Sequence, residues 1–271
     1  MMKTIHAMYW SATDTTKTVV CTIAQTLAQH AGTKYEVFDF TLPAARKTVK
    51  TFGPDDLVVF GTPVYAGRVP NVLVKYLHTV VGGGALAVPV VLFGNRNYDD
   101  GLIELRNLLE EDGFHTIAGA AFVGEHAFSR TLAAGRPDAD DLGEARAFAD
   151  AVWDKLTAGT YQTPAPVGGQ DPIRPYYTPR DRAGNPINIL KVKPKTDPDK
   201  CDGCGICVKV CPMGSIDRND PSLVTGICIK CCACVKKCPT GAKYYDDPGY
   251  LYHKEELELG YARRADNETF V

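Results

Sequence analysis

Along the first 160 residues, short apolar runs alternate with stretches in which apolar residues recur every three or four positions. Five runs have the length and apolar character of buried strands: Thr4 to Trp10, Tyr35 to Phe40, Leu57 to Gly61, Pro89 to Gly94 and Ala118 to Val123. Between and after them the helical period predicts helices at Thr16 to His30, Asn71 to Thr79, Gly101 to Asp112 and Asp140 to Thr157, with Asp99 and Asp140 suited to N-cap positions. This alternation predicts an α/β unit over residues 1–159, a doubly wound, five-stranded parallel sheet with right-handed crossovers. Residues 160–197 are rich in proline and contain Tyr176-Tyr177, a turn-like Ala183-Gly184-Asn185-Pro186 and an alternating Ile187 to Val192. A flexible tether would be rich in glycine and serine, so this segment reads as an extended strap packed on a domain. Residues 248–271 carry a charged helical pattern around His253 to Arg264 and predict a helical tail, docked or solvated.

The composition narrows the partners. A chain of 271 residues with 45% hydrophobic content can bury a full core and carry a small appendage. Its 30 basic and 32 acidic residues nearly cancel and neither sign is massed in a block, which argues against nucleic acid. The most apolar stretch, Ala85 to Phe93, is interrupted by Pro89 and is far short of the ~20 residues a membrane span needs. No signal-peptide pattern precedes the apolar run up to Trp10, so a cytoplasmic location is the expectation.

Chemistry enters with the cysteines, nine of the ten following residue 200. Cys201, Cys204, Cys207 and Cys211 precede Pro212; Cys228, Cys231, Cys234 and Cys238 precede Pro239, each 27 positions after its counterpart. Both sets read C-x2-C-x2-C-x3-C-P, the bacterial ferredoxin spacing, in which three close thiolates hold three irons of one 4Fe-4S cube and the fourth ligates the other cluster. The expected metal sets are therefore Cys201, Cys204, Cys207 and Cys238 for one cluster, and Cys228, Cys231, Cys234 and Cys211 for the other. A structural zinc site would use two C-x2-C pairs and leave four of these cysteines unexplained, and disulfides require an oxidising compartment. Cys21 and Cys232 read as small buried hydrophobes.

In a doubly wound sheet, ligands bind beyond the carboxyl ends of the strands. After the first strand comes Ser11-Ala12-Thr13-Asp14-Thr15-Thr16, running into a helix. Hydroxyls and free amides at a helix N-terminus suit a phosphate, and the same residues also suit a plain capped start. The third strand leads to Gly61-Thr62-Pro63-Val64-Tyr65-Ala66-Gly67, and the fourth to Gly94-Asn95-Arg96-Asn97-Tyr98-Asp99. Tyr65 and Tyr98 can stack on a flat heteroaromatic ring, with Asn95 and turn amides at its polar edge; surface packing is the alternative for either tyrosine. Gly82-Gly83-Gly84 imitates a dinucleotide fingerprint but follows a helix and opens a strand, so it reads as a loop.

These residues carry a resemblance. Residues 1 to about 158 resemble a flavodoxin-type FMN domain, and residues 198–247 a small α+β bacterial-type two-cluster ferredoxin, so the chain resembles the flavodoxin-ferredoxin fusion proteins of anaerobic bacteria and archaea. Ser11, Thr13 and Thr16 match that family's S/T-x-T-G-x-T phosphate loop, with Thr15 at an open position. Pro63, Tyr65 and Gly67 match P-x-Y-x-G, with Val64 inside the loop; Gly94 to Asp100 match G-N-R-x-Y-D-D; and Gly124 to Ser129 are similar to G-E-H-S-F-S. The resemblance implies FMN and two 4Fe-4S clusters as cofactors, a redox-protein donor or acceptor as partner, and a role for Arg96 in positioning flavin or strap. His126 is the one histidine placed near the flavin, a structural role being equally open. Asp14 departs from the family's glycine. At ~5 Å and an effective dielectric near 20, its charge would oppose each unit of phosphate charge by about 3 kcal/mol, against about 1 for the helix dipole. Asp14 is therefore expected to turn away, as the helix N-cap, and FMN affinity to be weaker than in glycine-bearing relatives.

Three functions fit: an electron carrier relaying low-potential electrons between clusters and FMN, a reductase in which FMN acts on a small-molecule acceptor such as a quinone or nitro compound, and a redox sensor. No catalytic residue is assigned.

Overall fold

The computed structural model describes residues 2–271. Its first part runs β1 (Thr4–Tyr9), α1 (Thr15–Ala31), β2 (Lys34–Asp39), β3 (Asp56–Pro63), α2 (Asn71–Leu77), β4 (Leu86–Phe93), α3 (Gly101–Glu111), β5 (His115–Thr116), β6 (Gly119–Val123) and α4 (Ala139–Ala158). The parallel strands lie in the order β2-β1-β3-β4-β6, with the two-residue β5 beside the start of β4. Each of the five expected strands and four expected helices is present. The caps differ: α3 starts after Asp100, and α4 starts after Asp138, whose carboxylate accepts from the Asp140 and Asp141 amides in a capping box.

Both faces of the sheet are covered, which is why its strands read as unbroken apolar runs. Ile5, Ala7, Leu57 and Val59 pack with Val19, Val20 and Ile23 of α1 and with Phe148 and Val152 of α4. Met8, Val58, Phe60 and Val91 pack on the opposite side with Leu73 and Leu77 of α2 and Leu102 and Leu105 of α3. The triple-glycine segment is a loop before β4, as expected, with Gly83 and Gly84 at positive φ.

The cysteine-rich unit pairs β7 (Lys195–Thr196) with β8 (Lys243–Tyr244) and carries two single-turn helices, α5 (Ile206–Lys209) and α6 (Ala233–Lys236). It packs on the α2/α3 side of the sheet, where Cys231 and Ala233 join the core around Trp10 and Phe60.

The tail corrects the expected architecture. A helix, α7 (Pro248–Gly260), lies where a helical tail was expected, but the chain then continues into β9 (Glu268–Phe270), which pairs antiparallel with β6. The five parallel strands thus gain an antiparallel edge strand from the C-terminus, and residues 1–159 do not complete their own sheet. Asn95 and Tyr98 serve this tail. Asn95 Nδ2 donates to Tyr261 O and Arg263 O at 2.6 Å each, its Oδ1 accepts from Ala265 N at 3.2 Å, and Tyr98 OH donates to Glu268 Oε2 at 2.6 Å. A three-residue strand leaves no periodicity to read.

The strap is packed, as expected. Buried Asp100 accepts four bonds from it: Gln170 N at 2.9 Å, Arg174 N and Nε at 2.8 Å, and Arg174 Nη2 at 2.6 Å. Tyr176 OH donates to Val69 O, Tyr177 N donates to Ala66 O, and the Arg68 and Arg96 guanidinium groups lie over the Tyr176 and Tyr177 rings. The bonds from Arg174 outweigh burial and hold the Asp100 carboxyl down at about 2. That stabilisation is complete above the ordinary carboxylate range near 4 and is lost as pH falls toward 2. Asp100→Ala is expected to weaken strap docking by about 2 kcal/mol. Limited proteolysis at neutral pH should then cleave within residues 160–197 several-fold faster than in the parent; equal rates would refute the anchor.

Candidate functional site

Three cavities collect almost all the chemistry. The largest, about 1270 Å³ including its open mouth, lies beyond the carboxyl ends of β1, β3, β4 and β6. Thr13, Thr15 and Thr16 line one end; Pro63, Val64, Tyr65, Gly67, Gly94 and Arg96 line the body. Two glycines are required by close contacts. A Cβ on Gly94 would sit 2.3 Å from His126 Cδ2, and one on Gly67, at φ 79°, would meet Asp99 Oδ2 at 2.5 Å.

Other expected contacts lie outside this cavity. Ser11 is buried, with its Oγ accepting from Lys17 N at 3.1 Å and its amide bonded to Thr41 Oγ1 at 2.8 Å, so it braces the loop. Asn95 and Tyr98 do not reach the lining, which corrects their expected ring contacts: each has committed its polar atoms to the tail. Asp99 pairs with Arg96, which lies 4.5 Å over the Tyr177 ring; Arg96 thereby positions the strap while lining the cavity. Tyr65 remains at the wall, edge-on to Trp10 at 5.8 Å between ring centroids.

Asp14 sits where glycine is expected, with φ 67°, and occupies the N-cap position of α1 without a side-chain capping bond. Its carboxylate pairs with Lys237 at 2.9 Å instead. The expected turn away from the cavity is therefore met by a cation from the cysteine-rich unit, and the expected capping bond is absent. The adjoining cleft, lined by Thr13, Asp14 and Thr15, is ringed by Arg130, Arg136, Lys236 and Lys237. Lys236 is itself bound to Glu125 at 2.5 Å and His126 O at 2.7 Å. The donor set at this end, hydroxyls and a helix N-terminus with basic neighbours, fits a phosphate.

Sequence reasoning missed the other half of the lining. Tyr177, Pro179, Ile189 and Leu190 come from the strap, Ile229 and Lys230 from the cysteine-rich unit, and His253 and Leu257 from α7. The Tyr176-Tyr177 doublet was the only local signal. The combined wall is apolar and aromatic around a few polar groups, as a flat heteroaromatic ligand requires.

The remaining two cavities divide eight cysteines. One is lined by Cys201, Cys204, Cys207 and Cys238, the other by Cys211, Cys228, Cys231 and Cys234. These are the two sets the crossed spacing predicts. Among the described residues, no three His, Cys, Asp or Glu side chains converge on a point as a single ion would require. Each cavity is lined by the four cysteines of one set, the number of thiolates a 4Fe-4S cluster takes. Around the second set, Ser215 N donates to Cys211 Sγ at 3.3 Å and Tyr245 OH lies 3.4 Å from Cys228 Sγ. Cys232 also borders that cavity, buried, with its sulfur 3.4 Å from Tyr250 OH; Cys21, within α1, packs partly buried against the core.

A family model described as a 4Fe-4S binding domain matches residues 193–216. The strand order found here, 2-1-3-4 followed by the fifth long strand, is the flavodoxin-like one. A flavodoxin-like sheet and a 4Fe-4S domain are fused in this chain. Solved structures similar to it include a flavodoxin from the domain Archaea (14% identity, TM-score 0.39, covering 58% of this chain and 99% of that one). A Streptococcus pneumonia TIGR4 flavodoxin (16%, 0.39, 56% and 99%) and the two-electron reduced flavodoxin of Megasphaera elsdenii (19%, 0.35, 53% and 98%) are also similar. No curated protein matches the sequence. No described helix is long and apolar enough to cross a membrane.

His126 is the buried titratable group of the large cavity. Burial, then the charges of Lys236 and His253, lower its pKa to about 4, so it is neutral at pH 7. Its Nδ1 accepts from Phe128 N at 3.1 Å, which leaves the proton on Nε2. Because the unfolded imidazole titrates near 6.5, the folded state loses stability as pH falls from about 6.5 toward 4. Imidazole NMR should find an Nε2-protonated tautomer that charges near pH 4. His126→Gln should lose less melting temperature between pH 7 and 5 than the parent, the difference corresponding to about 2 kcal/mol; parallel curves would refute the assignment.

Proposed function

We propose that this protein transfers low-potential electrons within one chain between two 4Fe-4S clusters and FMN. The observation that carries the reading is a shared wall: Ile229 lines both the large cavity and the cavity of Cys211, Cys228, Cys231 and Cys234. A cluster in the second would be separated from a ligand in the first by about one side chain. The opposite set contains exposed Cys204, which makes it the place where a redox-protein donor or acceptor would exchange electrons.

The residues present fit these groups. Cys201, Cys204, Cys207 and Cys238 would ligate the outer cluster, and Cys211, Cys228, Cys231 and Cys234 the inner one. Thr13, Thr15 and Thr16 would hold the FMN phosphate, while Tyr65, Gly67, Gly94 and Arg96 flank its ring system. Bound FMN supplies one- and two-electron chemistry, and each cluster supplies single electrons. The strap and α7 wall the cavity body, and Arg96 and the His126 Nε2–H would offer fixed donors to negative charge within it.

A second reading, reduction of a small acceptor such as a quinone or nitro compound at the flavin, is favoured by one observation. His126 and His253, whose pKa values burial lowers, border the cavity and supply ring nitrogens able to carry protons. Rapid, saturable turnover of one such acceptor by the reduced protein, lost on His253→Ala with the FMN retained, would select it over the relay.

Anaerobically reconstituted protein should contain about eight irons and one FMN per chain. After a one-electron pulse, flavin reduction should be independent of protein concentration; a rate proportional to concentration would refute transfer within the chain, and protein that takes up no FMN would remove the reading. The Asp14–Lys237 pair gives a second test. Lys237→Ala should weaken FMN binding several-fold by leaving the carboxylate unneutralised, and Asp14→Gly should tighten it by a similar factor, each change worth about 1 kcal/mol. Flavin fluorescence titration would measure both, and equal dissociation constants would overturn the assignment of this end to phosphate.

A further inference from the structure

The repeated cysteine motif carries its backbone with it. Gly203 and Gly205 of the first unit have φ of 74° and 69°, and their counterparts Lys230 and Cys232, 27 positions on, have φ of 56° and 59°. Left-handed backbone is natural for glycine and strained for lysine or cysteine, so the second unit maintains two side chains at a cost the first avoids. A Cβ on Gly203 would meet no atom within 4 Å. At the matching position the Lys230 side chain meets the rest of the protein. Its Nζ donates to Leu190 O of the strap and to Cys228 O, both at 3.1 Å, and the residue lines the large cavity beside Ile229.

The nearby cations differ from it in one respect. Arg96 is paired with Asp99, Lys236 with Glu125 and Lys237 with Asp14, whereas both acceptors of Lys230 are carbonyl oxygens. The charge of Lys230 is thus held in place without being neutralised by a carboxylate.

Resting on the FMN reading, we propose that Lys230 is an electrostatic positioning residue, a fixed cation on the wall between the inner cluster and the flavin that raises the flavin's one-electron potential. In the step it assists, FMN gains one electron and the inner cluster loses one; a low-potential one-electron donor refills the clusters. The position explains the retained strain: glycine would relax the turn but leave this wall without charge.

The test is anaerobic spectroelectrochemistry of the reconstituted full chain with three variants. Lys230→Gly fits the backbone, Lys230→Gln keeps the length without the charge, and Lys230→Arg restores the charge. Glycine and glutamine are expected to make one-electron reduction of the flavin about tenfold less favourable, a fall of about 59 mV, while arginine stays within about threefold of the parent. Unchanged potentials in glycine and glutamine variants that retain parental iron and FMN would overturn the proposal. So would faster proteolysis of the strap in those variants with the flavin potential unmoved, since Lys230 would then be a clamp. A parent protein that binds no FMN would instead remove the underlying reading, an outcome visible before any variant is made.

Discussion

Both sites depend on where one helical turn is allowed to sit. The α6 turn holds Cys234 within it and Cys238 just after it, so its position is set by the inner and outer cysteine cavities together. Among the three residues between those cysteines are Lys236 and Lys237, whose ion pairs with Glu125 and Asp14 fasten the turn to the loops after β6 and β1. Neither half can shift relative to the other without pulling on a pair or on a cysteine. Exposed pairs contribute little alone, and Lys237 with Asp14 is of that kind; Lys236 with Glu125 is more buried and also reaches a carbonyl.

This fastening changes the meaning of the aspartate in the loop after β1. Considered within the first domain, a carboxylate at Asp14 is an electrostatic fault near an anion. Beside Lys237 it becomes a point of attachment, held at a left-handed φ of 67° that aspartate tolerates better than most side-chain-bearing residues.

The parts legible in the sequence were those specified by local pattern: the five parallel strands, the four helices, the loop after Gly82 and the crossed division of cysteines. Each is set by period or spacing within a few residues. The illegible parts arise from distant segments meeting. Asn95 and Tyr98 had the right chemistry for a ring but were claimed by backbone and Glu268 more than 160 positions away. The lining from strap, cysteine-rich unit and α7 has no shared motif, because an apolar wall can be assembled from any suitable side chains. Cys232 read correctly as a buried small residue, but its left-handed backbone, with φ of 59°, leaves no mark in a sequence where glycine would be the usual sign.

The short strand β9 recasts the domain plan. Since the chain returns from the ferredoxin to pair with β6, the iron-sulfur unit is inserted into the α/β domain, with its strap and α7 as the two stems of the insertion. Until β9 joins it, the outer edge of β6 is uncovered. Exposed edges invite pairing between chains and distant pairings form slowly. A cut at the strap would therefore part the parallel sheet from the strand that covers its edge, leaving neither piece whole.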